Sequence, residues 1–327
     1  MSTAPAIEVR DLRVGYENLD AVRGVSFTVP AGGRMGLVGE SGSGKSMTAH
    51  ALMGLLPPGW QARGEILHDG VNLVKEADKA FSARRGRTIS MVFQDPMSAL
   101  NPVRRVCDQI ADVIRRHTGV NRREAMRQAI DLAVQMNLPR PEQLMRAYPH
   151  QISGGQKQRI MIAMALACYP QLIIADEPTT ALDVTVQKQV LRLLSAATRE
   201  RNSALLMITH DLPVIAAMCD TVAVMYAGRI VEYGPVATVF RTPRHHYTRG
   251  LLDSQPTMDN IALDGSSRLL SIPGMVPPLS RLPAGCAFHP RCPAATDICR
   301  GKMPELDSGA SRVACFHPVA PAEAVPA

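Results

Sequence analysis

The chain has few aromatic residues and no long apolar run. Aromatic side chains make up only 4% of its 327 residues, so the base-stacking platforms of a single-strand nucleic-acid binder are not evident. The longest apolar stretches, such as IMIAMALACY at residues 160–169, are shorter than the roughly 18 to 20 residues that cross a bilayer. The N-terminal MSTAPAIEVR also lacks the basic and apolar regions of a signal peptide. We therefore expect a globular chain that stays in the cytosol.

The net charge is positive, but it does not identify a partner. The formal charge is +7, which would suit nucleic acid or an anionic membrane surface. Arginines cluster in three short groups: Arg84, Arg85 and Arg87; Arg104 and Arg105; Arg115 and Arg116. Solvated helix surface explains these groups more simply, and we favour that interpretation. The length and the 46% hydrophobic content suit one large domain with an appendage.

Short apolar runs alternate with helical patterns over most of the chain, which favours an α/β fold. The stretches that predict strands are RMGLVG at 34–39, TISMVF at 88–93, LIIADE at 172–177, ALLMITH at 204–210 and TVAVMYAGRIVEYG at 221–234. Between the second and third of these lies a helix-rich insert. Its pattern places Ala125, Ile130, Ala133, Val134 and Leu138 near one helical face.

The texture changes near residue 250, where proline, glycine and cysteine replace the periodic pattern. We therefore predict a main domain over residues 1–250, with a helical subdomain at about 95–165. A small, irregular, cysteine-containing C-terminal extension is predicted over residues 251–327.

A glycine-rich stretch, GESGSGKS at residues 39–46, matches the phosphate-loop pattern G-x-x-x-x-G-K-[ST]. It follows an apolar run and precedes a helical pattern, which is the context that such a loop requires. Its glycines let backbone N–H groups turn towards phosphate oxygens. Lys45 is expected to reach the β- and γ-phosphates, and Ser46 to ligate Mg²⁺. The other predicted ATP-binding residues of the loop are Gly39, Ser41, Gly42 and Gly44.

Two adjacent acids, Asp176 and Glu177, end the apolar run at residues 172–177. A nucleotide hydrolase needs a carboxylate beside the metal and a group that orients or deprotonates water. We predict that Asp176 binds Mg²⁺ and that Glu177 points to the γ-phosphate as general base. Adjacent acids are also common at solvated strand ends, but the phosphate loop favours the catalytic interpretation.

A second stretch, ISGGQKQR at residues 152–159, also looks like a phosphate-binding turn. Taken alone, S-G-G-Q is typical of a helix N-cap, in which the serine side chain accepts a hydrogen bond from the first turn. The complete phosphate loop upstream raises the question of why the chain would carry two such turns.

The motifs together resemble the nucleotide-binding subunit of an ATP-binding-cassette (ABC) transporter, over roughly residues 7–250. Besides the phosphate loop and the two acids, the match includes Tyr16, Gln94 in VFQDP, Asp183 in ALD and His210 in ITHD. The stretch ISGGQKQR corresponds to the signature of that family. The resemblance implies an α/β fold, a P-loop ABC ATPase core with a helical subdomain.

The resemblance also explains the second turn. In that family, the signature of one subunit closes over the ATP that the phosphate loop of another subunit holds. It therefore implies that Ser153, Gly154, Gly155 and Gln156 bind ATP in trans, across a dimer interface. Asp183 is implied to lie at the dimer contact.

Further roles follow from the matched positions. Tyr16 is implied to stack on adenine, and His210 to hold the γ-phosphate. Gln94 is implied to contact Mg²⁺ or the attacking water, so that the implied catalytic residues are Glu177, His210 and Gln94. The implied Mg²⁺ ligands are Ser46, Gln94 and Asp176. Thr180 stands where the family usually has serine, which is a conservative departure.

Four of the seven cysteines lie in the C-terminal part, at positions 286, 292, 299 and 315. In a reducing compartment, four such cysteines favour a metal site over disulfides. Four thiolates suit either a [4Fe-4S] cluster or tetrahedral zinc, although neither a common zinc spacing nor C-x2-C is present. Unligated thiols are the third possibility. Cys107, Cys168 and Cys219 lie in apolar or helical segments and are interpreted as packing residues.

The C-terminal part resembles the extension of the dipeptide, oligopeptide and nickel importers, on the stretches RTPRHHYTRGLL at 241–252 and GCAFHPRCP at 285–293. Some members bind a [4Fe-4S] cluster through such cysteines, so the resemblance favours a cluster on Cys286, Cys292, Cys299 and Cys315. Because the nucleotide motifs end well before Cys286, we expect changes at these cysteines to leave the nucleotide chemistry largely intact.

The resemblance implies ATP hydrolysis that energises import of peptides or a similar solute across the cytoplasmic membrane. The implied partners are two membrane permease subunits, an extracytoplasmic solute-binding protein and a second ATPase subunit. We favour a heterodimer over a homodimer, and expect no nucleic acid. The chain would then lie peripherally on the cytoplasmic face of the inner membrane.

Two rival functions explain the sequence less well. A soluble ABC ATPase acting on nucleic acid or the ribosome would need long heptad arms between Gln94 and Ser153, or a second cassette, and the chain has neither. An electron-transfer protein built around the cysteines would leave the nucleotide motifs unexplained.

Overall fold

The computed structural model describes residues 4–180, 182–255 and 271–320. Its strands, in chain order, are β1 Ile7–Tyr16, β2 Leu19–Val29, β3 Arg34–Val38, β4 Gln61–His68, β5 Val71–Asn72, β6 Ile89–Val92, β7 Leu172–Asp176, β8 Ala204–Ile208, β9 Thr221–Tyr226, β10 Arg229–Pro235 and β11 Arg312–Val313. In the described residues they form two sheets. The smaller sheet has the order β2-β1-β4-β5 and is antiparallel. The larger has the order β11-β10-β9-β3-β8-β7-β6.

In the larger sheet, the five strands β9, β3, β8, β7 and β6 are parallel, so their carboxyl ends lie at the same edge. Strands β3, β6, β7 and β8 are buried along their whole length, as expected for continuous apolar runs in a parallel sheet. Loops at the carboxyl ends of such strands are where α/β folds bind ligands. The predicted α/β core is therefore confirmed, with its strand ends placed to build a site.

The helices cover the larger sheet and form the insert between β6 and β7. They are α1 Lys45–Leu52, α2 Asp78–Arg84, α3 Pro96–Ala99, α4 Val106–Thr118, α5 Arg122–Gln135, α6 Pro141–Leu144, α7 Gly154–Leu166, α8 Val184–Glu200, α9 Leu212–Met218, α10 Val236–Arg241, α11 His246–Asp253 and α12 Asp297–Gly301. The insert, α3 to α7, is helical as predicted. In α5, Ala125 and Ala133 are buried, but Val134 is 56% exposed, so its placement on the buried face was wrong.

The stretch at 221–234 that predicts a strand is a hairpin of β9 and β10, joined at Ala227 and Gly228. Both residues have positive φ, 46° and 81°. A Cβ on Gly228 would lie 2.6 Å from the carbonyl oxygen of Ala21, so the turn packs directly against β2. Because the apolar pattern continues through both strands, the sequence predicted one strand here and not a hairpin.

The C-terminal extension has little regular structure, and it packs on the core through a few contacts. Strand β11 pairs with β10, where Val313 lies opposite Glu232. The Phe288 side chain is buried against Tyr226 and Tyr247, with ring centroids 5.2 and 5.4 Å away. Burial of such a side chain contributes about 1.5–3 kcal/mol. In the described part of the chain, no helix is long and apolar enough to cross a membrane.

Candidate functional site

The phosphate loop connects the end of β3 to the start of α1. Gly39 has φ 154°, and a Cβ there would lie 2.2 Å from the carbonyl oxygen of Met225. No other residue type fits this position without moving the β9 backbone. At Gly42 no atom lies within 4 Å of the same test position, so this side of the loop is open. The exposed Ser41 lies beside it. The loop is thus close to the core on one side and accessible on the other.

Lys45 is the first residue of α1 and its side chain turns back into the loop. Its Nζ donates hydrogen bonds to the carbonyl oxygens of Gly39, at 2.7 Å, and Glu40, at 2.9 Å. Burial lowers the pKa of Lys45, although the nearby carboxylates of Glu177, Asp176 and Glu40 oppose this. The ammonium group is therefore held inside the phosphate loop, where a bound anion could contact it.

Ser46 and Asp176 lie together at the base of the loop. The Ser46 hydroxyl is 3.3 Å from Asp176 Oδ1, within hydrogen-bonding distance. Asp176 ends β7 and is 3% exposed, and burial raises its pKa, while the hydrogen bond from Ser46 opposes the rise. A buried carboxylate beside a hydroxyl is a suitable donor set for a hard divalent cation, which would offset the desolvation of the acid. The two residues therefore fit the predicted Mg²⁺ site.

Glu177 is the centre of a small polar cluster. Its carboxylate accepts hydrogen bonds from Gln94 Nε2, at 3.1 Å, and from Thr180 Oγ1, at 2.9 Å. His210 Nδ1 lies 3.1 Å from the other carboxylate oxygen. Burial alone would raise the pKa of Glu177, but the hydrogen bonds from His210 and Thr180 outweigh it and lower the pKa. The three predicted catalytic residues are brought together, and Gln94 contacts Glu177 directly.

The backbone orients Glu177 as well. Glu177 has φ 44°, in the left-handed region, and its N–H donates to the carbonyl oxygen of Ile208 at 2.8 Å. This bond extends the β7–β8 pairing by one residue beyond the end of β7. The positive φ turns the chain at the same residue, so the Glu177 side chain lies at the tip of the strand. Thr180, noted in the sequence only as a departure from serine, has the hydroxyl that serine would supply.

Tyr16 ends β1 and is 42% exposed, as a stacking surface for a base requires. Its ring lies beside Trp60, with centroids 6.1 Å apart. Gly59 packs against the same ring, since a Cβ there would lie 2.6 Å from Tyr16 Cε2. The sequence indicated Tyr16 but not Trp60, the single tryptophan of the chain. Trp60 enlarges the aromatic surface at this position.

The signature turn forms the N-terminus of α7. Ser153 Oγ accepts a hydrogen bond from Gln156 N, and Gln156 Oε1 accepts one from Ser153 N, so the two residues form a capping box. The N-cap interpretation is therefore right as local structure. At Gly154 no atom lies within 4 Å of a test Cβ, whereas at Gly155 Val186 of α8 lies 2.8 Å away. The turn is open towards solvent and tightly packed behind.

Asp183 lies beside the signature turn and caps α8, accepting from Thr185 N and Val186 N at 3.0 Å. One open pocket is lined by Ser153, Gly154, Gly155, Gln156 and Asp183 together. No phosphate-loop residue lines this pocket. The predicted ATP-binding residues thus form two separate groups within one chain: the phosphate loop with its carboxylates, and the signature pocket.

The four C-terminal cysteines line one narrow pocket, together with His245, His246, His289 and His317 among others. All seven cysteines of the chain are free thiols. Burial raises the pKa of Cys286 and Cys292, and raises that of Cys315 to about 11, with neighbouring thiols adding to each rise. Yet among the described residues no group of three or more His, Cys, Asp or Glu is arranged to hold a metal ion. The predicted cluster stays a prediction.

His245 supplies an observation that bears on this pocket. Its ring is 1% exposed, and Nδ1 accepts a hydrogen bond from Tyr247 N at 3.0 Å. Nε2 therefore carries the proton of the neutral ring, and it is buried without a hydrogen-bond partner. Burial lowers the pKa of His245 to about 3, so the ring stays neutral. A buried donor in the wall of a thiol-lined pocket fits a bound group that accepts hydrogen bonds.

Comparisons with known proteins agree with this geometry. The ABC transporter family profile matches residues 22–180, and the profile described as oligopeptide/dipeptide transporter, C-terminal region, matches residues 231–299. The oligopeptide transport ATP-binding protein OppD of Salmonella typhimurium is 47% identical, covering 96% of this chain and 94% of its own. The probable D,D-dipeptide transport ATP-binding protein DdpD of Escherichia coli is 46% identical, with 97% and 98% covered.

Solved structures show the same fold. An ATP-binding cassette in a dimeric post-hydrolysis state with ADP and Pi matches with a TM-score of 0.63, at 24% identity, over 70% of this chain and 98% of that one. The cbiO1 protein of Clostridium perfringens, part of an ABC transporter complex, matches with a TM-score of 0.62, at 26% identity, over 72% and 90%.

The fold and the phosphate-loop site define an ATP-binding-cassette ATPase. The C-terminal match and the extent of the identity then specify the group within that class. The chain belongs to the ABC transporter family, among the ATP-binding proteins that carry the oligopeptide/dipeptide transporter C-terminal region.

Proposed function

We propose that this chain hydrolyses ATP to energise the import of peptides through separate membrane permease subunits. The Glu177 cluster carries the ATPase part of the proposal, because it brings the base together with its hydrogen-bond donors. The metal-side acid, Asp176, is the preceding residue and contacts Ser46 of the phosphate loop. The peptide part is supported by relatives whose names describe oligopeptide and D,D-dipeptide transport. A non-transport ABC ATPase lacks any comparable support.

In this mechanism the loop glycines and Lys45 bind the phosphates, and Tyr16 stacks on adenine. Ser46 and Asp176 would hold Mg²⁺, with Gln94 at its edge. When bound with ATP, Mg²⁺ neutralises negative charge on the phosphates. Glu177, ionised at neutral pH because its pKa is lowered, accepts the proton of the attacking water. His210 orients Glu177 and reaches the γ-phosphate once ATP is bound.

The separation of the two groups of ATP-binding residues supports action in trans. A signature pocket that includes no phosphate-loop residue is half of a site, and a second subunit would supply the other half. Ser153 Oγ accepts one hydrogen bond in the capping box, and its O–H can still donate a hydrogen bond to a phosphate oxygen. We infer an ATP-dependent dimer, with a different ATPase subunit as the favoured partner.

A shallow apolar groove is the surface that we assign to a permease subunit. It lies where the helical insert meets the core, and it includes Met53, Met91, Phe93, Met161 and Met164. Met53, Met91 and Met161 are almost fully buried, and Met164 is half-buried, so Met164 is the methionine that a partner could contact. Phe93 directly precedes Gln94, so a partner in the groove would lie near the Glu177 cluster. The chain would then sit peripherally on the cytoplasmic face of the membrane.

The extension from about residue 251 is proposed to bind a metal centre through its four cysteines. The shared pocket and the unpartnered Nε2 of His245 support a bound group, and Cys286, Cys292, Cys299 and Cys315 would hold it. The sulfides of a [4Fe-4S] cluster, or the thiolates that hold it, could accept a hydrogen bond from that donor. The cluster is the centre that we favour, with zinc as the alternative.

Reconstitution in proteoliposomes, with the permease subunits and the solute-binding protein, tests the transport proposal. We expect peptide-loaded binding protein to stimulate ATP hydrolysis. Met164→Glu should prevent assembly with the permease while the chain still binds ATP, and Met275→Glu is the control, since Met275 is 86% exposed in the extension. Stimulation by nucleic acid or ribosomes, and not by loaded binding protein, would overturn the proposal.

A further inference from the structure

We propose that Arg291, in the C-terminal extension, is a positioning residue for the ATP site. It pairs with Glu40, the second residue of the phosphate loop, although the two are 251 positions apart in sequence. The inference rests on ATP binding at the phosphate loop, and it does not require a metal in the cysteine pocket.

The contact between Arg291 and Glu40 has the geometry of a strong ion pair. Nη1 donates to Glu40 Oε2 at 2.7 Å and Nη2 donates to Oε1 at 3.0 Å, so the guanidinium binds the carboxylate with two parallel hydrogen bonds. The Arg291 side chain is only 4% exposed, and that of Glu40 is 31% exposed. Because the pair is largely shielded from water, removing one partner leaves the other charge poorly compensated.

The remaining donor groups of Arg291 fix its orientation. Nε donates to the carbonyl oxygen of Pro273 at 2.8 Å, and Nη1 lies 3.4 Å from the Tyr226 hydroxyl. The guanidinium also lies over the rings of Tyr226 and Phe288, at 5.8 and 5.9 Å from their centroids. Lysine could supply the charge but not this planar set of donors. The extension therefore presents one rigid cation to the loop.

The backbone of Glu40 connects this contact to Lys45 of the phosphate loop. Its carbonyl oxygen accepts hydrogen bonds from Lys45 Nζ, at 2.9 Å, and from Ser43 N, at 3.2 Å. Its N–H donates to the Tyr247 hydroxyl at 2.7 Å. A shift of Glu40 would therefore move a hydrogen-bond acceptor of Lys45 and the turn of the loop.

Charge gives Arg291 a second effect on ATP. The Glu40 carboxylate lies close enough to Lys45 to act on it electrostatically. An unpaired carboxylate at the mouth of a phosphate site repels the triphosphate, and Arg291 neutralises it. Loss of Arg291 should therefore weaken ATP binding more than loss of both charges together.

The test is a double-mutant cycle on the full-length chain, with Arg291→Gln, Glu40→Gln and the combined variant. The dissociation constant of ATP, kcat and KM are measured, with thermal melting to check folding. We expect R291Q to weaken ATP binding about tenfold, with KM affected more than kcat, and R291K to give an intermediate value. The double variant should bind ATP better than R291Q alone. If Arg291 had only a structural role, R291Q and the double variant would both melt at a lower temperature, and the double variant would not regain ATP affinity.

Arg300→Gln is the matched control. Arg300 lies in the same extension, and its side chain pairs with the exposed Asp297 at 3.4 Å and not with a phosphate-loop residue. The ATP affinity of the R300Q variant should therefore be unchanged. Equal affinity of R291Q and R300Q, or no recovery in the double variant, would overturn the inference. If the unmodified chain bound no ATP, or if Lys45→Ala bound it normally, the proposed function itself would fail instead.

Discussion

The ATP site and the C-terminal extension hold their functional side chains in different ways. In the ATP site, neighbouring parallel strands end at one edge of the sheet, so β3 delivers the phosphate loop, β7 delivers Asp176 and Glu177, and β8 leads to His210. In the extension, a five-residue helix and a two-residue strand are the regular elements of the described residues 271–320, apart from short turns. Its position depends on Phe288, on Arg291 and on the pairing of β11.

Because the two regions fix their side chains differently, mutations in them should have different consequences. A side chain at a strand end is fixed by backbone hydrogen bonds of the whole sheet, so its replacement changes the chemistry and little else. A side chain in the extension is fixed by a few long-range contacts, so its replacement also changes whatever those contacts reach.

The largest effect is expected from Glu177→Gln. Loss of the general base should lower the hydrolysis rate by about 10²- to 10⁴-fold, while ATP binding persists because Lys45 and the loop are intact. ATP that cannot turn over should trap a closed dimer. Phosphate release and the mass of the complex in ATP measure both effects, and a turnover rate near that of the unmodified chain would contradict the role of base.

Lys45→Ala is the companion variant, and it should behave differently. It removes the cation that faces the phosphates, so ATP binding itself should be lost and no trapped dimer should form. Melting temperatures of both variants should stay close to that of the unmodified chain, because the sheet fixes the strand ends. A large loss of stability in either variant would break the contrast with the extension.

The next effect tests the trans arrangement by complementation. Ser153→Ala and Lys45→Ala should each impair hydrolysis when present alone. In a mixed dimer of the two variants, one site combines an intact phosphate loop with an intact signature, so partial activity should return. A site built within one chain would give no recovery on mixing. If the chain requires a different partner, the same pair of changes is divided between the two subunits.

A smaller effect on the nucleotide site is expected from Cys292→Ser. Anaerobically purified protein should be brown, with broad absorption at about 400 nm and about four irons per chain, and the variant should lose both. Because Arg291 directly precedes Cys292, we now expect ATP affinity to fall a few-fold as well, contrary to what the order of motifs suggests. Cys168→Ser, which alters a packing residue, is the control.

Two results would contradict the cysteine prediction. Colourless protein with stoichiometric zinc would exclude the cluster and favour tetrahedral coordination. Unchanged ATP affinity in Cys292→Ser would show that the pocket is not coupled to the phosphate loop, and it would restore the simpler expectation that the extension leaves the nucleotide chemistry intact.

Sequence patterns predicted the ATP site far better than the contacts of the extension. The strands before the phosphate loop and before the two acids were predicted to within one or two residues. Short, continuous apolar runs are typical of the buried strands of a parallel sheet, so the sequence pattern marks these strands clearly. The roles of Gln94 and His210 were implied by the family resemblance, and the structure brings both side chains to Glu177 at one edge of the sheet. The antiparallel sheet of β1, β2, β4 and β5 was not predicted, because its strands carry charged residues on an exposed face.

The contacts that sequence could not provide are those between distant segments. Glu40 is a variable position within the loop pattern, and Arg291 is one of many arginines, so nothing in the spacing pairs them. Trp60 was missed for the same reason, because its contact with Tyr16 depends on the turn before β4. The cysteine pocket was indicated by residue type, but the histidines that line it were not.

The smallest effect concerns Asp307, which fastens the extension to the core near β11. Its carboxylate accepts hydrogen bonds from Val313 N, at 2.7 Å, and from Arg244 Nη2, at 2.8 Å. Its slight burial alone would raise its pKa, but these hydrogen bonds outweigh it and lower the pKa. The stabilisation is therefore present above about pH 4, the ordinary range for aspartate, and is lost as the pH falls through the lowered value.

Asp307→Asn should consequently loosen the extension at pH 7 by about 1 kcal/mol or less, because the pair is partly exposed. Hydrogen exchange over residues 305–315 should then be faster, while exchange of β3 and β7 stays unchanged. Thermal melting over a series of falling pH values supplies the sign: the difference between the variant and the unmodified chain should shrink as the pH falls through the lowered pKa of Asp307, because its carboxylate then becomes protonated in the folded state as well. Asp297→Asn, at an exposed pair in the same extension, is the control. A difference that stays the same over the whole acid series would mean that asparagine disturbs the packing itself, and that the charge of Asp307 does not hold the extension in place.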